Sequence, residues 1–114
     1  MKIELMTTQF ELTPELEKYA HAKIARLVRK VPRSVRREAA CIVTFSQIHK
    51  KGVEFNTCSI SFAIEDTQLR AKEMTQHMYS SLDIAVVDIA TQLKDYVATR
   101  PGRGIRGILR PLVR

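Results

Sequence analysis

The chain has 114 residues, 45% of them hydrophobic, and carries a formal net charge of +7 at pH 7. That length allows about one domain with an ordinary core, and the basic charge favours nucleic acid or an anionic membrane surface as a partner over an acidic small molecule. No apolar run approaches the roughly 20 residues that span a bilayer, and the first residues lack the apolar stretch of a signal peptide, so we predict a cytoplasmic protein.

The first two elements are predicted to be a strand and a helix. Ile3 and Leu5 alternate with polar neighbours, which is typical of a short strand. A helix follows, because Thr13 is a suitable N-cap and Pro14 fits the first helical position. Pro32 disfavours helical geometry at the residue before it, so we expect the helix to end there.

Positive charge is concentrated on this helix and on the loop predicted after it. Residues 18–37 contain no Asp or Glu. They contain eight basic residues: Lys18, Lys23, Arg26, Arg29, Lys30, Arg33, Arg36 and Arg37. At about 100° per residue, the cations of the helix occupy the arc beside its apolar stripe. Exposed helices ordinarily interleave both signs of charge, so this acid-free run indicates a face that binds a polyanion.

Three further strands and a second helix are predicted after the basic segment. Alternating apolar residues indicate strands at about 41–46, 57–64 and 69–72, with a hairpin turn at Gly52. The second helix is predicted to begin near Thr75 and has a continuous apolar stripe. The order βαβββα predicts an α+β fold, a four-stranded mixed sheet with two helices packed on one face.

We predict that residues 1–99 form the folded domain and that residues 100–114 form a basic, flexible tail. The last fifteen residues contain five arginines and no acid. Their three glycines and two prolines argue against a stable helix, so we expect this segment to be mobile until it meets a partner.

The sequence gives no sign of catalysis or of a cofactor. His21, His49 and His77 are too scattered to suggest a metal site and are expected on the surface. Cys41 and Cys58 form no CxxC pair and are expected to be buried apolar residues. A P-loop, a GxGxxG motif and a nucleophile elbow are all missing from the sequence. We therefore predict a protein that is not an enzyme and that uses no metal, cofactor or small-molecule substrate.

The few aromatic residues do not form a base-stacking surface. Phe45, Phe62, Tyr79 and Tyr96 lie on apolar faces and are predicted to belong to the core. Phe55, on the outer side of its strand, is the one candidate for stacking. The prediction is therefore a surface that contacts phosphates and recognises the shape of RNA rather than its bases.

The predicted RNA-binding residues are the basic side chains of the first helix, the following loop, the first hairpin and the tail. They are Lys23, Arg26, Arg29, Lys30, Arg33, Arg36, Arg37, Lys50, Lys51, Arg103, Arg106 and Arg110.

Residues 2–97 resemble a known family in the order and spacing of several short motifs. These are Thr13-Pro14 at the start of a helix, Val53-Glu54-Phe55 after a Lys-bearing hairpin, and Leu69-Arg70-Ala71 followed by His77-Met78-Tyr79-Ser80-Ser81-Leu82-Asp83 and Gln92-Leu93. The sequence is similar to the ribosome hibernation promoting factors and ribosome-associated inhibitor A, some of which are labelled sigma-54 modulation proteins. It corresponds to their short form, because the chain has no room for the C-terminal dimerisation domain of the long form.

The resemblance implies a βαβββα domain that binds the small ribosomal subunit, 16S rRNA and the 70S ribosome. Such a protein silences translation under stress by blocking the channel of mRNA and tRNA. The family's first-helix cations match Lys23, Arg26, Arg29 and Lys30. The second helix departs from the family, since residues 88–95 read DIATQLKD where members carry a basic run that resembles KLERQLRK.

Two other functions are compatible with the sequence. One is a protein-interaction module that uses Ile84 and Val87 on the second helix as a contact patch. The other is a general binder of double-stranded RNA without preference for ribosomes. Gradient fractionation of cell extract distinguishes the interaction module from a ribosome binder, and competition by arbitrary RNA duplex identifies the general duplex binder.

Overall fold

A computed structural model of the chain describes residues 1–100 and shows four strands and three helices there. The elements are β1 (Lys2–Thr8), α1 (Pro14–Val28), α2 (Arg33–Arg36), β2 (Ala40–Lys50), β3 (Val53–Ile64), β4 (Thr67–Thr75) and α3 (Met78–Thr99). The predicted tail, with Arg103, Arg106 and Arg110, lies outside the described residues.

The four strands form one mixed sheet in the order β1-β2-β3-β4. β1 pairs parallel with β2, and the other two pairings are antiparallel. A parallel pair needs a long crossover, and α1 with α2 supplies it. The α+β architecture predicted from the sequence is therefore confirmed.

The core lies between one face of the sheet and the two long helices. Alternate residues of the central strands point towards the helices and are fully buried, among them Val43, Phe45, Ile60 and Phe62. The opposite face of the sheet has no helix on it within the described residues, and it carries five of the eight large exposed apolar side chains: Met6, Ile42, Ile48, Val53 and Met74. The prediction of helices on one face is confirmed.

The segment between α1 and β2 differs from the predicted loop. The last regular turn of α1 ends at Val28, because the N–H groups of Lys30 and Val31 bond to carbonyls only three residues back, at 2.9 and 3.0 Å. Such tighter turns commonly finish a helix. Arg33–Arg36 then forms the single-turn helix α2, whose Val35 is buried in the core.

The start of α3 was predicted three residues too early. β4 continues to Thr75, which pairs with Asn56 of β3. The side chain of Asn56 is buried and donates to the carbonyl of Gln76 at 3.0 Å, while Ser81 Oγ donates to the carbonyl of Asn56 at 2.6 Å. These bonds hold the chain extended up to the turn at His77, so α3 begins at Met78.

One predicted core residue is not in the core. Phe45 and Phe62 are fully buried and Tyr96 is half-buried, but the side chain of Tyr79 is 43% exposed. Tyr79 instead packs on α1, where its ring meets the ring of Tyr19 edge-on with 5.0 Å between centroids.

Candidate nucleic-acid interface

The cations of α1 are positioned by a well-capped helix. Thr13 Oγ1 accepts a hydrogen bond from the Leu16 N–H at 3.2 Å, and Pro14 occupies the first turn. Glu15 and Glu17 lie in that turn, where negative charge stabilises the positive end of the helix dipole. The acids are thereby at the start of α1 and the cations towards its end.

Five exposed cations lie between the last turn of α1 and the residue after α2, and we name them the cationic ridge. The buried positions of α1 are Leu16, Ala20, Ile24 and Leu27, so the basic residues between and after them point outwards. The ridge consists of Arg26, Arg29, Lys30, Arg33 and Arg37, all exposed. Twelve residues of sequence thus present five positive charges to solvent and no carboxylate.

Arg36 has a different role from its neighbours, because its guanidinium folds back on the end of α1. Nη2 donates to the carbonyl of Val31 at 2.9 Å and, more weakly, to that of Arg29 at 3.4 Å. Its Nε is buried without a partner among the described residues. Helix C-termini leave carbonyls unpaired. Arg36 bonds weakly to one of these, that of the C-cap residue Arg29, and more closely to the carbonyl of Val31 in the turn that follows, so it fixes α2 against the turn at the end of α1.

Lys23 is held in the seam between α1 and α3. Its Nζ lies 3.4 Å from Asp83 Oδ1 and 5.3 Å from the centre of the Tyr19 ring. The Tyr19 hydroxyl donates to the same carboxylate oxygen at 2.6 Å. This hydrogen bond, with burial and the charge of Asp83, raises the pKa of Tyr19. Sequence reasoning missed this contact, since Tyr19 and Asp83 are 64 positions apart.

The two hairpin lysines are remote from the ridge. Lys50 is the last residue of β2. The turn after it consists of Lys51 and Gly52, whose φ angles of 51° and 76° lie in the left-handed region. The ridge adjoins the other end of β2, where Arg37 lies three residues before Ala40. A strand of 11 residues is about 35 Å long. Lys50 and Lys51 therefore belong to a separate positive site.

The helix α3 presents a largely uncharged surface beside the ridge. Ile84 and Val87 are 45% and 64% exposed. Asp88 accepts a hydrogen bond at 3.2 Å from Gln92, whose amide also donates to the backbone of Arg70 on β4. The carboxylate of Asp88 is thereby on the flank of α3 that faces β4, away from α1.

Metal ligands, thiols and apolar helices are the remaining features to locate in the described part of the chain. No group of three or more His, Cys, Asp or Glu side chains within residues 1–100 could hold a metal ion. Cys41 and Cys58 are free thiols in the core, and burial raises the pKa of each to about 12. Among the helices of residues 1–100, none combines the length and apolarity required to cross a membrane.

Comparisons with known proteins place the fold and the family. A search of curated proteins finds no match. The N-terminal domain of Protein Y from Thermus thermophilus is 25% identical and superimposes with a TM-score of 0.69, over 84% of this chain and 99% of that one. A ribosomal subunit interface protein from Coxiella burnetii is 22% identical with the same TM-score, over 86% of this chain and 99% of its own, and supports the fold alone.

The match to a protein-family model covers almost all of the described residues. The family is described as Sigma 54 modulation protein / S30EA ribosomal protein, and its model matches residues 3–100. The resemblance seen in the sequence motifs is confirmed, and the chain belongs to this family.

Proposed function

We propose that this protein binds the small ribosomal subunit in the cytoplasm through 16S rRNA, and that it inhibits translation by occupying space that mRNA and tRNA need. The observation that carries the proposal is the cationic ridge, with five exposed charges in twelve residues and no acid among them. Membership of the S30EA ribosomal protein family supports the ribosome as the source of the polyanion.

The ridge is suited to phosphates rather than to bases. Its side chains are four arginines and one lysine, all exposed, and each guanidinium group can bind a phosphate through two N–H donors. Aromatic rings, which would stack on bases, are absent from the ridge. Binding of this kind positions a rigid body on folded RNA by shape and charge.

The proposed mechanism of inhibition is steric. The domain would inhibit translation by its presence in the channel, held there by the contacts of the ridge with phosphates. Lys23 and the tail residues Arg103, Arg106 and Arg110 are proposed as further contacts. Lys50 and Lys51 would meet a second RNA segment about 35 Å from the ridge.

The experiment compares two variants of equal charge for binding to purified 30S subunits over a range of salt. The first is Arg26→Gln/Arg29→Gln/Arg33→Gln on the ridge. The matched control is Lys2→Gln/Arg70→Gln/Lys72→Gln, which removes three exposed cations from the outer face of the sheet.

With six phosphate contacts, the logarithm of the wild-type affinity falls against the logarithm of salt with a slope of about −4 to −5. The ridge variant loses three phosphate contacts, so its slope should be less steep by about 2 to 3. The slope of the control variant should equal that of the wild type. An equal loss of affinity for 30S subunits in both variants would show that binding depends on net charge alone and not on the position of the ridge. Displacement by arbitrary RNA duplex as effective as by 30S subunits would instead identify a general duplex binder.

A further inference from the structure

The seam between α1 and α3 is filled at one end and open at the other. Tyr19 and Lys23 of α1 contact Tyr79 and Asp83 in the first two turns of α3. α1 has 15 residues and α3 has 22, so α3 is longer by about 10 Å. Beyond the end of α1, the side of α3 is left as the wall of a surface groove.

This groove has an apolar floor and positive walls. Its lining residues are Lys30, Val87, Ala90, Thr91, Lys94 and Val97. Lys30 stands on the wall that follows α1, and Lys94 stands on the wall made by α3; both are exposed. Val87 is 64% exposed. One turn before it on the same side of α3, Asp83 closes the filled end of the seam, where it is bound to Lys23 and Tyr19.

The two charged residues that line the groove, Lys30 and Lys94, are both positive. No carboxylate is among its lining residues, and Gln92 holds Asp88 on the opposite flank of α3. Arg26 and Arg29 of the cationic ridge lie four residues and one residue before Lys30 and add to the positive potential. A ligand that fits here combines aliphatic side chains for the floor with negative charge for both walls.

We propose that this groove docks an acidic amphipathic helix from a protein partner. Helices bind grooves of this type through apolar residues spaced three and four apart, and flanking carboxylates would pair with Lys30 and Lys94. RNA fits less well, because an apolar floor offers nothing to phosphates and the lining has no aromatic ring for bases. This proposal goes beyond the proposed function, and the groove overlaps the cationic ridge only at Lys30.

The test is a selection from a displayed library of 15-residue helical peptides against the full chain, with individual winners remeasured as synthetic peptides. Three proteins are compared: the wild type, Val87→Glu in the groove, and Val53→Glu, which makes the same change at an exposed valine on the outer face of the sheet. Winning peptides are expected to carry Asp or Glu beside apolar residues at helical spacing. They should bind Val53→Glu like the wild type and Val87→Glu at least tenfold more weakly.

Charge reversal in Lys30→Glu/Lys94→Glu provides the second measurement. The selected peptides should lose at least tenfold in affinity for this variant, and a new selection should favour Lys and Arg. Failure to enrich any peptide on the wild type over Val87→Glu would overturn the proposal. Selected peptides without acidic residues would also overturn it, as would a continued preference for acidic peptides in Lys30→Glu/Lys94→Glu. A tenfold loss of 30S binding in Val87→Glu without any peptide enrichment would assign the groove to RNA, while normal 30S binding with no enrichment would leave the proposed function intact.

Discussion

At the scale of single residues, Asp83 offsets the positive charge that Lys23 would offer to RNA. It lies 3.4 Å from Lys23 and accepts the hydroxyl of Tyr19. A phosphate that approaches Lys23 must compete with this carboxylate. Asp83 thus reduces the contribution of Lys23 while fixing where its ammonium group lies.

The change Asp83→Asn should strengthen binding to 30S subunits. One more cation becomes available, so the slope of log affinity against log salt should steepen by about 0.7 to 0.9. The free energy of unfolding should fall by about 1 kcal/mol or less, because the ion pair is partly exposed. Salt titrations by filter binding measure the slope. The double variant Lys23→Gln/Asp83→Asn is the control and should lose the gain; a single variant with unchanged or weaker binding would remove Lys23 from the interface.

The two core thiols should make the free energy of unfolding decrease as the pH rises above 9. Burial raises the pKa of Cys41 and Cys58 to about 12 in the folded chain, against an ordinary value of 9.0. Their stabilising contribution is complete below pH 9 and decreases between pH 9 and pH 12, where only the unfolded chain loses the protons. At pH 10 the loss should be about 1 kcal/mol per thiol.

Urea unfolding at pH 8 and pH 10 measures this dependence, with Cys41→Ala/Cys58→Ala as the comparison. The double variant is less stable at pH 8 because it leaves a cavity, but its stability should change less between the two pH values. An identical pH dependence in both proteins would show that the thiols titrate normally in the folded state.

At the scale of elements, the junction between α1 and α2 shapes the ridge. The pattern of apolar residues and Pro32 predicted where the helix stops to within three residues. The short helix α2 could not be predicted, because four residues are too few for a periodic signal. The helix α2 is stabilised by two packing contacts that local sequence preference does not reveal. These are the burial of Val35 in the core and the hydrogen bond from Arg36 to the carbonyl of Val31.

Arg36→Ala should therefore lower the free energy of unfolding by about 1 to 3 kcal/mol, since a charged donor to the carbonyl of Val31, in the turn between α1 and α2, is lost. Arg37→Ala, at the exposed neighbouring position, should change it by about 0.5 kcal/mol or less. Thermal and urea unfolding of the two variants provide the measurement. Equal stability of the two would mean that the bonds of Arg36 do not hold α2 in place.

The candidate site shows the same division between what sequence patterns reveal and what packing decides. The acid-free run identified the exposed cations Arg26, Arg29 and Lys30, because helical periodicity places them beside the buried stripe. The engagement of Lys23 with Asp83 depends on how α1 and α3 lie together, which no local pattern encodes. Likewise, alternation in β4 predicted its centre but not its extension to Thr75, which pairing with Asn56 determines.

At the scale of the whole molecule, the positive charge is concentrated in two places, the cationic ridge and residues 100–114. We propose that residues 1–99 are the ribosome-binding domain and that residues 100–114 add contacts to phosphates. Deletion of residues 101–114 removes four arginines, and it should reduce the steepness of the salt dependence by about 3 to 4. The midpoint of thermal unfolding should stay within a few degrees; a large drop would make the extension part of the core.

The most direct test of the central claim is a cryo-electron microscopy map of the protein bound to 30S subunits at low salt. The account predicts density for the domain in the channel of mRNA and tRNA, with Arg26, Arg29, Arg33 and Arg37 against 16S rRNA phosphates. Density that places the outer face of the sheet on the RNA and the ridge in solvent would contradict it, as would the absence of any bound domain.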